Sequence, residues 1–255
     1  RSDPPRPVVG IASAPTPPST RWYRGNMHLH TYWSDGRGFP EQAVAAYKQR
    51  GYDFVCMSDH NTFAVSRDTW RDVVNIPVTQ AGWPPQVTSD IFAAYTNIFR
   101  DSAEIRMNGT TTQVRLKTYE EIKAQFEEPG TFILFPGLEV TDTVSGYALH
   151  MNYLNVPVTI PSVQGKGYIY SFAGTVSDTI GSVAVEVAAA AANIGQPYQL
   201  MVNHPFWPYY DVLPQNLIDH PEIRFFEVCN GGASYAPHSL VPNLDPDQFW
   251  DAVLA

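Results

Sequence analysis

The sequence predicts an α/β domain in which helices cover a mainly parallel sheet, as in an α/β barrel. Short apolar runs alternate with helical patterns from Trp22 onward, and such alternation favours parallel strands with helices outside them. Residues that can bind metal follow several of the predicted strands, as functional groups do at the carboxyl-terminal rim of a barrel. The 255 residues, 44% of them hydrophobic, are enough to bury one sizeable core.

Local patterns predict the individual elements. Pro40 opens a helical stretch that Gly51 ends, which is where these two residue types usually stand in a helix. Residues 64–118, rich in Trp, Pro and Thr, are predicted to form an insertion with one or two helices that shapes the mouth of the site. Strands are predicted at 27–31, 52–57, 131–135, 147–156, 199–202 and 223–228, and helices at 40–50, 119–127 and 180–194.

The amino-terminal residues differ in composition from the rest of the chain. Residues 1–21 contain six prolines and no apolar periodicity, which predicts a proline-rich lead-in before a single domain at 22–255. The first residue is Arg rather than Met, which indicates a mature or trimmed chain, and a secreted or periplasmic location is favoured over the cytoplasm. Cys56 and Cys229 lie in apolar runs, so reduced core thiols are favoured over a disulfide.

Charge and hydropathy argue against two classes of partner. The net charge is −9, and the 16 Lys and Arg residues are scattered, whereas a nucleic-acid-binding face shows clustered basic residues. Bound cations would neutralise part of the acidic excess. No apolar run approaches the ~20 residues that cross a bilayer, so no membrane span is predicted.

The histidines and carboxylates predict a metal centre. His28 and His30 are two residues apart on a predicted strand, so both imidazoles should point the same way. The predicted ligands are His28, His30, Asp35, His60, Glu139, His150 and His204. Imidazole and carboxylate are the ligand set for Zn²⁺, Mn²⁺ and Fe ions. A carboxylate that bridges two cations can hold them ~3.5–4 Å apart, and Glu139 is the candidate for this bridge.

Polar residues beside these ligands are predicted to orient them. The predicted set is Asn61, Asn152, Asn203, Glu227 and Asn230. Hydrogen bonds at strand ends explain the asparagines equally well. Glu227 stands in an otherwise apolar run, where an unpaired carboxylate would be costly to bury, so either a place near the cations or a structural hydrogen bond is expected. Asp59, which precedes His60, is the predicted proton shuttle.

Five separated segments resemble, in order, the motifs of the PHP (polymerase and histidinol phosphatase) domain family. They are Asn-Met-His-Leu-His-Thr-Tyr-Trp-Ser-Asp-Gly at 26–36, Ser-Asp-His-Asn at 58–61, Pro-Gly-Leu-Glu at 136–139, His-Met-Asn at 150–152 and Asn-His-Pro at 203–205. The resemblance covers roughly residues 22–255 and is closest to the branch that includes carbaryl-type carbamate and ester hydrolases. The amidohydrolase fold also begins with His-x-His, but it expects a bridging lysine, and no lysine of this chain follows a predicted strand.

The resemblance implies a distorted seven-stranded (β/α) TIM-like barrel that binds two or three divalent ions. It assigns His28, His30 and Glu139 to a first ion, Glu139, His150 and His204 to a second, and Asp35 and His60 to a third. The family's last motif, Asp-x-His at a late strand end, is missing. We therefore expect the natural protein to continue beyond Ala255 into a last strand, the alternative being that the first and third sites are incomplete.

Three functions remain open at this point. A phosphoesterase that cleaves a small-molecule ester with a metal-activated hydroxide is favoured. A hydrolase of carbamates or carboxylic esters would use the same metals. Because the last motif is missing, a third function also stays open, that of a non-catalytic module that binds metal or ligand. The oligomeric state is not predicted.

Overall fold

The computed structural model describes residues 21–144, 146–166, 170–205, 212–228, 230 and 246–255. Apart from Arg21, the predicted lead-in at 1–21 lies outside the described residues, and so does Cys229. The strands are β1 (Gly25–Asn26), β2 (Phe54–Met57), β3 (Trp70–Val74), β4 (Val87–Thr88), β5 (Ile105–Asn108), β6 (Thr111–Arg115), β7 (Ile133–Val144), β8 (Tyr147–Leu154), β9 (Tyr170–Phe172), β10 (Gln199–Val202) and β11 (Phe225–Phe226). The helices are α1 (Pro40–Gln49), α2 (Ser89–Phe99), α3 (Tyr119–Phe126), α4 (Val176–Ile194), α5 (Pro214–Ile218) and α6 (Pro246–Leu254).

A curled sheet of seven strands forms half of a barrel wall. Its order is β1-β2-β7-β8-β10-β11, and β9 pairs with the end of β7. The neighbours β1, β2 and β7 are parallel, as are β10 and β11, whereas β8 runs antiparallel to both β7 and β10. The fold is therefore mixed α/β. Among the described strands β1 and β11 do not pair, so the expected closed seven-stranded barrel is not confirmed.

Two predicted strands have clearly different limits in the structure. The strand expected at 27–31 ends at Asn26, so His28 and His30 follow it instead of lying on it. The strand expected at 131–135 continues through Glu139 to Val144. Only two residues separate its end from β8, which is too short for a parallel crossover, so the two strands form an antiparallel hairpin.

Residues 70–115 form a second sheet that the sequence analysis did not predict. Its order is β4-β3-β6-β5, and it is accompanied by α2 and a short 3-10 helix at Val78–Gln80. The strands are short, and every position of β5 is exposed, so they show little of the alternation by which a strand is recognised in sequence. A buried cluster that includes Phe39, Tyr95 and Leu116 packs this sheet onto the start of α1.

The main core lies between the curled sheet and its helices. Buried side chains of α3 and α4, such as Ile122, Ile180 and Val187, pack against Leu134, Leu138 and other apolar residues of the sheet. Helix α1 begins at Pro40 as predicted. No described helix has the length and apolar character needed to cross a bilayer.

One buried arginine links the second sheet to α3. Arg115, at the end of β6, is only 4% exposed and donates hydrogen bonds to the carboxylates of Glu104 and Glu121. Glu121 also caps α3, because it accepts a hydrogen bond from the backbone N–H of Thr118. Hydrogen bonds from Arg115 lower the pKa of both glutamates from 4.5 to about 2.

Arg115→Met is expected to lower the free energy of unfolding by about 2 kcal/mol at pH 7, since it removes hydrogen bonds between charged groups. The value is modest because Glu104 is half exposed. The depressed pKa of each glutamate means that its contribution is complete above pH 4.5 and is lost as the pH falls towards 2. Urea unfolding of chelator-treated protein should therefore show a smaller deficit at pH 3 than at pH 7. Equal deficits at both pH values would contradict this, and the exposed Arg67→Met should show almost none.

Candidate metal centre

The structure brings all seven predicted ligands together with one further carboxylate. Four strands of the curled sheet end just before such a residue: β1 before His28, β2 before His60, β10 before His204 and β11 before Glu227. The remaining members of this metal centre are His30, Asp35, Glu139 and His150. The carboxyl ends of parallel strands meet at one edge, which explains why residues far apart in sequence converge here.

Glu139 lies at the middle of the metal centre and is completely buried. Its Oε1 lies 3.3 Å from Nε2 of His28 and 3.2 Å from Nδ1 of His150. Its Oε2 lies 3.2 Å from Nε2 of His30 and 2.7 Å from Nδ1 of His60. Four imidazoles therefore surround one carboxylate, which is the position expected for a bridging ligand.

Several groups of three donors lie close enough to share an ion. Four such groups have all their donor atoms within 4.8 Å of one another: His28–His30–Glu139, His60–Glu139–His150, His30–Asp35–His60 and His28–His204–Glu227. The set implied for a second ion is also assembled, because Nε2 of His204 lies 3.1 Å from Nδ1 of His150 and 4.0 Å from Oε1 of Glu139. Oδ1 of Asp35 lies 3.4 Å from Nε2 of His60.

The donor chemistry of the metal centre fits divalent cations. Nε2 of His28 and Nε2 of His30 face each other at 2.8 Å, with the carboxylate of Glu139 beside both. Oε2 of Glu139 is buried and has no hydrogen-bond partner among the described residues, although imidazole nitrogens lie close to it. Nitrogen lone pairs and carboxylate oxygens that converge on one point are what Zn²⁺, Mn²⁺ or Fe ions bind.

The pKa shifts in the metal centre show that its buried carboxylate is stabilised by positive charge nearby. Burial alone would raise the pKa of Glu139, but the charges of His60, His28 and His150 hold it well below its usual value. Burial would lower the pKa of the imidazoles, yet Glu139 raises the pKa of His28 to about 10 and that of His60 to about 9. At His150 burial prevails and the pKa is lowered. Ligands bind metal without their protons, so divalent cations would supply the charge that protons otherwise bring.

Glu227 holds two of the histidines on the side away from Glu139. Its Oε1 lies 3.2 Å from Nδ1 of His28, and its Oε2 lies 2.8 Å from Nδ1 of His204 and accepts the backbone N–H of that residue. Asn230 donates to the same carboxylate at 3.2 Å. When Nδ1–H of each imidazole donates to Glu227, Nε2 is left free to face Glu139. Burial would raise the pKa of Glu227, but the hydrogen bonds and charges of His204 and His28 hold it far below its usual value.

The other three asparagines of the predicted set, Asn61, Asn152 and Asn203, make different contacts around the metal centre. Asn203 donates to Oε1 of Glu139 at 2.6 Å and to Oδ1 of Asn152 at 2.9 Å, so it orients the central carboxylate. Asn152 donates in turn to the backbone carbonyl of Met27. Asn61 exchanges two hydrogen bonds of 2.9 Å with the backbone of Thr141, which joins the loop after β2 to β7.

Asp59 holds the loop that follows β1. Its carboxylate accepts the backbone N–H and the hydroxyl of Thr31, at 2.7 and 2.9 Å, and the hydroxyl of Ser34 at 2.7 Å. Gly36 completes the turn, because a Cβ there would meet the backbone of His30 at 2.4 Å. Asp59 thus fixes the segment that carries Asp35, and its predicted role as a proton shuttle stays a prediction.

Two features of the metal centre were missed in the sequence. Thr141 contacts Nδ1 of His60 through its hydroxyl, and its position two residues after Glu139 on one strand places both on the same face. That spacing could have indicated it. The backbone of His204 has a φ of +27°, a left-handed value that is unusual for a histidine and that marks a constrained position. No sequence pattern signals this second feature.

Comparisons with known proteins give weak similarities. The chain matches no family model and no curated protein. One similar solved structure is a two-domain protein of Bacteroides vulgatus containing a predicted PHP-like metal-dependent phosphoesterase, with 15% identity, a TM-score of 0.42, and coverage of 84% of this chain and 46% of that one. Another is a protein of Bifidobacterium adolescentis assigned as a metal-dependent phosphoesterase, with 13% identity, a TM-score of 0.41, and coverage of 91% and 83%. The chain spans about half the length of the first structure. Because these similarities are low, the chemistry of the metal centre is argued from the geometry of its own residues.

Glu227→Gln is expected to weaken binding of Zn²⁺ about 10- to 100-fold, because the amide holds the two imidazoles less well than the carboxylate does. Competition with a chromogenic chelator measures this directly. Glu222→Gln is the matched control, since Glu222 pairs with His220 outside the metal centre. Affinity within twofold of the wild type for both variants would show that Glu227 does not orient the ligands.

Proposed function

We propose that the chain is a PHP-type metal-dependent hydrolase that cleaves phosphate esters of small molecules. The observation that carries this is the completely buried Glu139 carboxylate, which has nitrogens of four imidazoles within 3.3 Å. A carboxylate in that setting is suited to bridge cations rather than to stabilise the fold, because a buried charge cluster is weak support for stability.

We propose two or three ions, with Zn²⁺, Mn²⁺ and Fe as the candidates. Glu139 would bridge them, and the imidazoles of His28, His30, His150 and His204 would hold the pair. Asp35 and His60 would hold a further ion. When bound, such cations polarise the scissile oxygen and lower the pKa of a water molecule from ~15.7 towards 7.

The protein groups around the metal centre have separable tasks. Asn203 and Glu227 hold Glu139 and two imidazoles in place, so that the ligands need little rearrangement. Asp59 and Ser34 shape the loop beside Asp35. His60 and Ser34 also line a cavity that opens next to the metal centre, which gives a substrate access to the ligands.

Purified protein supplied with Mn²⁺ or Zn²⁺ is expected to hydrolyse chromogenic phosphate mono- or diesters. Glu139→Gln should lower kcat/KM at least about 100-fold, since cation chemistry supplies several kcal/mol of transition-state stabilisation. His204→Ala should also lose activity. The exposed Glu120→Gln is the control and should keep wild-type turnover.

The same assay includes naphthyl esters and naphthyl carbamates. Turnover of these without turnover of phosphate esters would contradict a phosphoesterase and favour a carbamate or carboxylic ester hydrolase. Retained metal without turnover of any substrate would favour a binding module. Circular dichroism of each variant establishes that a loss of activity is not a loss of fold.

A further inference from the structure

A cavity of about 700 Å³ lies between the metal centre and the second sheet. His60 and Ser34 line it on one side, and Thr69 and Arg71 line it on the other. Its volume is within the range of sites that enclose a whole small molecule, and it is far larger than one phosphate group requires. A substrate whose scissile group reaches the metals would therefore place its remaining part in this cavity.

The charges around the cavity are the reverse of those of the whole chain. Arg71 and Lys166 line the cavity, and no Asp or Glu is among its described lining residues. The chain as a whole carries 25 acidic and only 16 basic residues. A lining that carries Arg71 and no described carboxylate favours an anionic occupant in such a protein.

Arg71 is the better-defined of the two cations. It lies on β3 and is partly buried, and its Nε and Nη2 donate to the backbone carbonyl of Tyr32. No carboxylate of the described part of the chain forms an ion pair with it. Burial lowers the pKa of Arg71, while the charge of Asp59 opposes that shift. A partly desolvated guanidinium that forms no ion pair is costly, and a ligand anion in direct contact with it would reduce that cost.

The orientation of this guanidinium leaves one side available. The Nε side is occupied by the carbonyl of Tyr32, and among the described residues both hydrogens of Nη1 and one of Nη2 have no acceptor. A pair of donors in this geometry matches two oxygens of a phosphate or a carboxylate. The aromatic rings of Trp33 and Phe63 and the ring of Pro84 line the same cavity and would contact the carbon skeleton between two anionic groups.

We propose that Arg71 is a specificity residue that binds a second anionic group, a phosphate or a carboxylate, on the part of the substrate that is not cleaved. The inference rests on the proposed function, because it takes the metal centre as the position of the scissile phosphate. It narrows the substrate class to phosphate esters that carry a further negative charge.

Binding of non-hydrolysable phosphonates to the metal-loaded protein tests this without turnover. Isothermal titration compares alkylphosphonates with α,ω-bisphosphonates of the same chain length, from two to six carbons. At the best length, the bisphosphonate should bind the wild type about 10- to 100-fold more tightly, as expected for hydrogen bonds between charged groups. Arg71→Met should reduce that preference to within about twofold while changing the affinity of the monophosphonate less than threefold.

Two further variants control the measurement. Arg71→Gln keeps a donor for the carbonyl of Tyr32 but removes the charge, so it should lose the preference even if Arg71→Met does not fold. Arg67→Gln removes a nearby exposed arginine that pairs with Glu121 and should keep the preference intact. An unchanged preference in both Arg71 variants would overturn the proposal. So would an equal loss of affinity for both ligands, which would indicate that Arg71 acts only on the loop at Tyr32.

The failure of this inference can be told from the failure of the proposed function. A wild type that prefers bisphosphonates through Arg71 but cleaves no phosphate ester would refute the phosphoesterase and support the second anion site. A wild type that cleaves phosphate esters, but whose preference for bisphosphonates is absent or does not depend on Arg71, would support the phosphoesterase and refute the second anion site.

Discussion

The structure depends on one buried negative charge, and no lysine or arginine in the described part of the chain pairs with it. Glu139 is completely enclosed, and the groups near its oxygens that can carry a positive charge are imidazole nitrogens. A carboxylate in a low-dielectric interior requires a positive charge close by, and imidazoles provide it only when they carry protons or bind cations. The pKa of His28 is raised and the pKa of Glu139 is lowered because each charge stabilises the other. Divalent ions at this position would satisfy it while leaving the imidazoles neutral.

The hairpin of β7 and β8 explains why this charge lies where it does. Strand β7 runs beyond the end of β2, so Glu139 is placed beside His60 at the edge where the parallel strands stop. The antiparallel return sets Asn152 opposite Glu139 and His150 opposite Thr141. Directly opposite residues share a face, and Glu139 and Thr141 share a face because they are two residues apart. The hairpin therefore places Glu139 and His150 on the same face of the sheet. The remaining predicted ligands follow the parallel strands.

The convergence of the seven predicted ligands could be foreseen because it depends on local spacing and on strand ends, both of which are visible in sequence. His28 and His30 are close whatever the limits of β1 are, and His204 follows a clearly apolar strand. The direction of β8 could not be predicted in the same way, because its apolar residues fit a parallel or an antiparallel strand equally well. The second sheet was missed because its strands are short and partly exposed. Arg71 was missed with it, since its importance comes from a cavity that exists only when the two sheets come together.

Anomalous diffraction from crystals loaded with Mn²⁺ or Zn²⁺ tests the central claim most directly. The account predicts at least two peaks at the metal centre, with a Glu139 oxygen and imidazole nitrogens about 2.0–2.2 Å from the ions. The Glu139→Gln protein should lose occupancy at both positions. Peaks confined to other parts of the surface, with none within coordinating distance of Glu139, would contradict it.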